Sequence, residues 1–313
     1  MSTFNPKEKL NFAILHKAKI SCIVYTSLRN KTFGGAVMTQ GKALTPEQVN
    51  RYSRHIIMPQ IGSLGQRKLI NSKAVVIGAG GLGGPVALYL ALAGVGTIGI
   101  VDFDTVDLTN LQRQVLHDSE SIGMPKVESA SKTLKRYNPN VNVVTHETPI
   151  NSTNAMEILG QYDIVINGAD NFPTRYLVND ACYFLKKPLV DGSILMFDGQ
   201  ATTYIPGSDN ACYRCLFKEP PPPGSVPTCA EAGVLGALTA TIGSIQATEV
   251  VKVLLDIGTP LVNRLLLYDG LSLDFRVVKY RKNKECPLCN GSQTELIDYL
   301  EFCGLPASSE LVG

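Results

Sequence analysis

The chain has 313 residues, of which 44% are apolar, so it is long enough to bury an extensive core in one large or two small domains. Its formal net charge of +2 excludes the broad basic surface of most nucleic-acid-binding proteins. No continuous apolar run reaches the ~20 residues of a membrane-spanning helix, and no secretory signal is recognisable. A soluble, cytoplasmic protein without a membrane partner is therefore expected.

The first 37 residues differ from the rest, because six basic residues stand there against one acid, Glu8. Such a leader is typical of an organelle transit peptide or of a loosely attached extension, and we favour the extension. The pattern divides the chain into a poorly ordered extension at 1–43, a main domain at 44–305 and a tail at 306–313.

Organised sequence begins with a helix in LTPEQVNRYSRHI. Thr45 suits the N-cap, Pro46 the first helical position, and Gln48 completes a capping box. From Lys73 to Ser193, apolar strand-like runs alternate with helix-like segments. This alternation predicts an α/β fold with a doubly wound, Rossmann-like, mostly parallel sheet.

Beyond Ser193 the pattern changes. MFDGQATTYIP, RLLLYDG and LDFRVVKY are typical of antiparallel strands. Between the first two lie a proline-containing linker at 206–233 and a long helix at 234–255. Linkers this long within a domain are usually functional or disordered.

The stretch VVIGAGGLGGPVALYL at 75–90 predicts a strand, a glycine-rich turn and a helix. Gly78, Gly80 and Gly83 match the G-x-G-x-x-G pattern, in which the backbone approaches a phosphate at a helix N-terminus. Asp102 ends the next strand, where an acidic residue accepts from ribose hydroxyls. The less favoured interpretation is that the glycine-rich turn only allows the strand and the helix to pack closely. NAD and ATP fit this pattern equally well.

Polar residues further along favour ATP. Asn110 and Arg113 follow the second strand, and Lys126 begins a later helix, so all three are expected near the edge where such sheets bind ligands. Cations match a triphosphate, whereas a nicotinamide requires an apolar slot. Taken singly, each of these two cations is as typical of a solvent-exposed surface residue as of a ligand contact. Asp170 is a candidate Mg²⁺ ligand or a helix N-cap, a role that Asn171 could fill instead.

Two C-x-x-C pairs, Cys212 with Cys215 and Cys286 with Cys289, supply four thiolates for a closed, structural Zn²⁺ site. Unliganded thiols or two redox pairs are the alternative. Cys229 lies alone on the long linker. A lone cysteine is more often an apolar filler, but its position before a helix could favour a reactive thiolate.

The order of these motifs resembles the MoeB/ThiF family of adenylyltransferases, relatives of ubiquitin-activating enzymes. The resemblance extends from about Leu44 to Leu305. It is carried by RYSRHI, VVIGAGGLGG, VDFDTVDLTNLQRQ, GMPKVESA, GADN, CYRC, TCAEAGVLG and CPLC. It implies ATP–Mg²⁺-dependent adenylation of the C-terminal glycine of a small ubiquitin-fold sulfur carrier ending in Gly-Gly. The later thiocarboxylate serves molybdenum cofactor, thiamine, thiolated-tRNA or cysteine biosynthesis.

The resemblance also implies residue roles. The expected nucleotide contacts are Gly78, Gly80, Gly81, Gly83, Asp102, Asp104, Asn110, Arg113 and Lys126. Asp170 would bind Mg²⁺, Arg54 would reach the nucleotide of a neighbouring subunit in a homodimer, and Cys229 would lie near the activated carbonyl. The chain ends 24 residues after Cys289, which leaves no room for the rhodanese-like domain of longer relatives. A separate sulfurtransferase is therefore expected as the sulfur donor.

Three other functions compete with this interpretation. A tRNA-modifying adenylating dehydratase of the same superfamily is disfavoured by the near-neutral charge and the four-cysteine pattern, and no nucleic-acid partner is expected. An NAD-dependent oxidoreductase lacks a histidine in a catalytic context. A zinc-stabilised scaffold without catalysis would require Arg113 and Lys126 to be surface charges that bind no ligand.

Overall fold

The computed structural model describes residues 41–221, residue 225 and residues 229–298; of residues 229 and 230 only the backbone is described. The predicted extension at 1–43 falls almost wholly outside these residues, and the predicted tail at 306–313 falls entirely outside them.

The described residues form ten α-helices and eight strands. The helices are α1 Pro46–Arg51, α2 Ser53–Ile56, α3 Gly62–Ile70, α4 Gly83–Ala93, α5 Lys126–Tyr137, α6 Ala155–Gly160, α7 Phe172–Leu185, α8 Tyr213–Leu216, α9 Cys229–Ala232 and α10 Gly236–Leu255. The strands are β1 Lys73–Ile77, β2 Thr97–Val101, β3 Asn142–His146, β4 Ile164–Asn167, β5 Leu189–Leu195, β6 Asp198–Tyr204, β7 Arg264–Asp269 and β8 Asp274–Lys279. Two short 3₁₀ turns, Leu108–Asn110 and Ser119–Ser121, follow β2.

The eight strands form one sheet in the order β3-β2-β1-β4-β5-β6-β7-β8. Strands β1 to β5 pair in parallel, and β6 to β8 continue the sheet antiparallel. The predicted mostly parallel sheet with antiparallel C-terminal strands is confirmed. Chain order reverses between β1 and β4, which is where doubly wound sheets form a ligand crevice at the carboxyl ends of the strands.

A local signal sets the start of α1. The Thr45 hydroxyl accepts from the Gln48 amide, and the Gln48 side chain accepts from the Thr45 amide, as the predicted capping box requires. The long helix predicted at 234–255 begins two residues later, at Gly236. The reason is that Val234 pairs with Met196 at the end of the β5–β6 hairpin before the helix starts.

Apolar side chains cover both faces of the sheet at β1, β2, β4 and β5, whereas the residues of β8 are exposed. Val76 and Ile100 pack with Leu90 of α4 and Val250 of α10 on one face. Truncating a fully buried leucine such as Leu90 to alanine costs about 2–5 kcal/mol in cores of this kind.

On the opposite face, Val75 and Val165 pack with Tyr176 and Leu177 of α7. Among the described helices, only α10 is long and apolar enough by composition to cross a membrane. Half of the relevant window is buried inside the protein, where α10 packs against α4, β5 and β6.

Candidate nucleotide site and cysteine cluster

The glycine loop between β1 and α4 needs its glycines for different reasons. Gly78 has φ of +91°, in the left-handed region that favours glycine. A Cβ atom on Gly83 would overlap the carbonyl oxygen of Gly78, so helix and strand can meet this closely only without that atom. Gly168, just beyond β4, packs against both residues. These contacts bring the end of β4 directly beside the loop.

The loop leaves a run of backbone amides unpaired. Within the described part of the chain, the N–H groups of Gly80, Gly81, Leu82 and Gly83 donate to no recorded acceptor. The first backbone bond of the turn comes afterwards, from the Gly84 amide to the Gly80 carbonyl. Unpaired amides at the start of an 11-residue helix form a site for an anion.

Asp102 follows β2 and touches the glycine loop. Its carboxylate accepts from the Ala79 amide at 2.7 Å and from the Asp104 amide at 2.9 Å. Burial raises the pKa of Asp102 above its ordinary value of 3.8, and these two hydrogen bonds oppose the rise. The half-buried carboxylate retains acceptor capacity at the position predicted for ribose binding.

Three further predicted nucleotide contacts lie close by. Lys126 begins α5 and is buried, and its ammonium donates to Asp104 Oδ2 at 2.7 Å. Arg113 lies beside Gly81, and its guanidinium donates to the Thr109 carbonyl at 3.0 Å. The side-chain oxygen of Asn110 accepts from the Asp107 amide at 3.1 Å, which holds the intervening 3₁₀ turn.

Asp170 lies two residues beyond Gly168 and is exposed. Of the two N-cap candidates, Asn171 caps α7 by accepting from the Thr174 amide at 2.9 Å. No hydrogen bond or ion pair to the Asp170 carboxylate is recorded among the described residues. Its carboxylate is therefore available beside the loop.

A buried ion pair that the sequence interpretation missed supports this segment. Arg175 donates to Asp191 Oδ1 at 3.0 Å and to the carbonyls of Ala169 and Gly192 at 2.8 and 2.9 Å. Asn167 also donates to Asp191, at 2.7 Å. Through its hydrogen bond to the Ala169 carbonyl, Arg175 fixes the backbone of the residue that precedes Asp170. Only its position one turn into α7 could have signalled this role.

His117 was also missed, because it stood in no recognised catalytic context. It is 8% exposed and its Nε2 atom lies 3.0 Å from the Ala79 carbonyl oxygen. The structure therefore places a histidine against the glycine loop.

The N-terminus of α10 completes the same region. A Cβ atom on Gly236 would collide with the Gln112 carbonyl oxygen. The Thr239 hydroxyl donates to the Gly236 carbonyl at 2.7 Å and lies 3.3 Å from the Arg113 carbonyl oxygen, and its side chain is next to Gly81. The chain enters α10 from α9, whose first residue is Cys229. Six residues lie between Cys229 and Gly236, the residue that packs against Gln112. The side chain of Cys229 lies outside the described atoms.

Arg54 lies away from this cluster within its own chain. Neighbouring His55 contacts Gln66, whose amide donates to the Ala93 carbonyl at the C-terminal end of α4. The glycine loop is at the other end of α4, about 15 Å away at 1.5 Å per residue. The Arg54 side chain is exposed, and within the described ranges it makes no ion pair or hydrogen bond.

The four paired cysteines meet although 70 residues separate the two pairs. Their sulfur atoms all lie within 4.8 Å of one another. Separations of 3.8 Å for Cys212–Cys215, 3.6 Å for Cys212–Cys286 and 3.6 Å for Cys215–Cys289 match the roughly 3.8 Å expected around tetrahedral zinc with 2.3 Å bonds. The donor set and spacing therefore fit a metal site with no open position.

A second buried ion pair ties the cysteine cluster to α7. Arg214, between the first two cysteines, donates through Nε to Asp180 at 2.9 Å and lies over the Tyr176 ring. Gln293, just after the second pair, donates to the same carboxylate at 2.8 Å. Both cysteine-bearing segments are therefore fixed to one helix.

The ThiF family profile matches residues 52–288. The sulfur carrier protein adenylyltransferase of Thermus thermophilus is 52% identical over 267 residues, covering 83% of this chain and 98% of that protein. The SAMP-activating enzyme E1 of Haloferax volcanii is 50% identical over 266 residues, covering 84% and 98%. The adenylyltransferase and sulfurtransferase MOCS3 of Culex quinquefasciatus is 51% identical, covering 85% and 61%.

A solved structure of Escherichia coli MccB superimposes with a TM-score of 0.69 at 24% identity, covering 79% of this chain and 74% of that one, and shows the same fold. A structure of MccB with ATP gives a TM-score of 0.65 at 25% identity, covering 77% and 74%. Two relatives are half identical along nearly their whole length, and the family profile spans most of this chain. The chain is therefore an adenylyltransferase and belongs to the ThiF family.

Proposed function

We propose that this adenylyltransferase uses ATP and Mg²⁺ to activate the C-terminal glycine carboxylate of a small ubiquitin-fold sulfur-carrier protein ending in Gly-Gly. The observation that carries the proposal is the run of four amides at residues 80–83 that have no acceptor among the described residues. Arg113 lies beside Gly81, and the charge of Lys126 acts on Asp102, which binds the loop. The half-identical relative named for sulfur-carrier adenylylation supports the substrate class.

In the proposed reaction, a carboxylate oxygen of the carrier attacks the α-phosphorus of ATP. The new O–P bond forms as the bond to the pyrophosphate oxygen breaks, which gives the acyl adenylate and pyrophosphate. The glycine-loop amides, Arg113 and Lys126 would offset the charge that collects on the phosphates. Asp102 would accept from the ribose hydroxyls, and Asn110 would donate to a phosphate.

Asp170 is the proposed ligand of Mg²⁺, because its exposed carboxylate stands beside the loop and caps no helix. When bound, the ion would neutralise phosphate charge as the carboxylate of the carrier approaches. Asp104 would act mainly through Lys126, which it already binds.

The four-cysteine cluster is the proposed Zn²⁺ site, and its role is structural because four thiolates complete the tetrahedron. Cys229 is proposed to lie near the activated carbonyl, because its helix leads into the α10 N-terminus beside Arg113. Attack of its thiolate on that carbonyl would release AMP and leave a thioester. This step comes after adenylation.

The proposal includes a cytoplasmic homodimer in which Arg54 serves the nucleotide site of the partner. It also includes a separate sulfurtransferase as the sulfur donor. The relative named only for adenylylation is matched over 98% of its length, and MOCS3, named for both activities, over 61%. The half-identical Thermus relative is named for adenylylation alone, which supports the proposal of a separate sulfur donor.

The deciding experiment measures carrier-dependent exchange of labelled pyrophosphate into ATP by the purified chain. Sulfur carriers encoded in the same genome are added one at a time, each beside a matched version lacking the final glycine. Exchange that requires an intact Gly-Gly terminus is expected with at least one carrier. Absence of exchange with every such carrier would overturn the proposed substrate.

A further inference from the structure

Both polar backbone atoms of Ala79, in the middle of the glycine loop, are held by side chains. Its amide donates to Asp102 Oδ2 at 2.7 Å. Its carbonyl oxygen lies 3.0 Å from Nε2 of His117. The peptide planes on either side of Ala79 therefore cannot rotate without breaking one of these two hydrogen bonds.

The environment of His117 determines which ring nitrogen carries the proton. A carbonyl oxygen only accepts, so Nε2 must be the protonated nitrogen. Nδ1 lies 2.9 Å from the hydroxyl of Ser129, a buried residue of α5, and accepts from it. Burial is the main cause that lowers the pKa of His117, and the charge of Lys126 adds to it. The ring is therefore a neutral donor in a fixed orientation.

The geometry of a trans peptide extends this effect into the anion site. The Ala79–Gly80 peptide is trans, so its C=O and N–H groups point in opposite directions. Because the carbonyl is turned towards His117, the Gly80 N–H points away from the histidine. That amide is one of the four in the loop with no recorded acceptor among the described residues.

We infer that His117 is a positioning residue that aims the Gly80 N–H at a phosphate group of the bound nucleotide. The inference rests on the nucleotide binding in the proposed function and adds a residue to that site. His117 touches neither phosphate nor carrier in this scheme, since it acts through the Ala79–Gly80 peptide. Its removal should therefore weaken binding of the phosphates and leave binding of the nucleoside unchanged.

The test compares two carboxamide variants of the full chain. In His117→Gln the amide nitrogen can reach the place of Nε2, whereas the side chain of His117→Asn is one methylene shorter and cannot. Calorimetry measures the dissociation constant of ATP–Mg²⁺, and ligand-observed NMR that of adenosine. We expect His117→Asn to weaken ATP binding about 10-fold, as for loss of one charge-assisted hydrogen bond, with adenosine changed less than about 2-fold. His117→Gln should remain within about 3-fold of the parent for both ligands.

Equal ATP affinities for the two variants, or equal losses for ATP and adenosine, would overturn the inference. If neither variant folds, Ser129→Ala decides, because it removes the hydroxyl that orients the ring. That variant should weaken ATP selectively, by about 3-fold, and an unchanged affinity would overturn the inference. Failure of the unaltered chain to bind ATP would instead contradict the proposed function.

Discussion

The ammonium of Lys126 lies 2.7 Å from Asp104 Oδ2, and this pair joins a buried lysine to a carboxylate that is half exposed. Among the described residues, the ion pair of the Lys126 ammonium is with Asp104. A phosphate arriving at Lys126 would therefore supply a second counter-charge. Asp104 therefore acts by holding the Lys126 ammonium, because its own carboxylate would repel a phosphate.

The first prediction concerns Asp104→Asn. Loss of the partner charge should lower the free energy of unfolding without nucleotide by about 1 kcal/mol, since one partner is solvent-screened. Added ATP–Mg²⁺ should then raise the melting temperature more in the variant than in the parent, because phosphate replaces the lost carboxylate. Differential scanning fluorimetry with and without ATP checks this. A smaller ATP-dependent rise in the variant would contradict it.

The second prediction separates the proposed phosphate-binding residue Arg113 and the proposed Mg²⁺ ligand Asp170 from other charged surface residues. Arg113→Ala and Asp170→Ala should each reduce carrier-dependent pyrophosphate exchange by about 100-fold or more, the usual effect of removing one group that stabilises transition-state charge. Arg67→Ala, on α3 at the far end of α4, is the matched control and should retain exchange. Near-parental exchange in Asp170→Ala would remove this residue from the Mg²⁺ site.

The sequence was sufficient to predict the fold, for physical reasons, whereas the roles of the candidate site residues stay predictions. Alternation of apolar runs predicts parallel strands, and the loop glycines and Asp102 fall where the fold requires them. His117 and Arg175 could not be found this way. Each acts through backbone carbonyls, of Ala79 and Ala169, that become its neighbours only after folding. Spacing along a chain carries no signal for such contacts.

The third prediction concerns the metal. Cys286→Ser should lose one zinc per chain, measured by atomic absorption, and should lower the melting temperature by several degrees, since structural zinc contributes directly to folding. Cys182→Ala is a suitable control, because that thiol is buried in α7 outside the cluster and burial raises its pKa. Its zinc content should be unchanged. Full zinc in Cys286→Ser would contradict the four-cysteine site.

The fourth prediction uses the raised pKa of Asp102. Ribose hydroxyls need the ionised carboxylate as an acceptor, so affinity should fall as pH decreases through the folded-state pKa, which lies above 3.8. Adenosine is the ligand to use, because it has no phosphate groups; protonation of its adenine N1 at low pH is common to parent and variant and is subtracted. Asp102→Asn should bind adenosine more weakly and lose this pH dependence. A midpoint at or below 3.8 would contradict the effect of burial.

The last prediction tests whether Arg54 acts across a dimer, since its helix is anchored at the opposite end of α4 from the glycine loop. Arg54→Ala and Asp170→Ala homodimers should each lack exchange activity. After unfolding and refolding together in equal amounts, half of the dimers should be mixed. In each mixed dimer, one site combines an intact Asp170 with the intact Arg54 of its partner. About one quarter of the parental activity should therefore return. Activity that stays absent after verified subunit mixing would mean that Arg54 does not serve the neighbouring site, because the mixed dimer supplies every other group that the site requires.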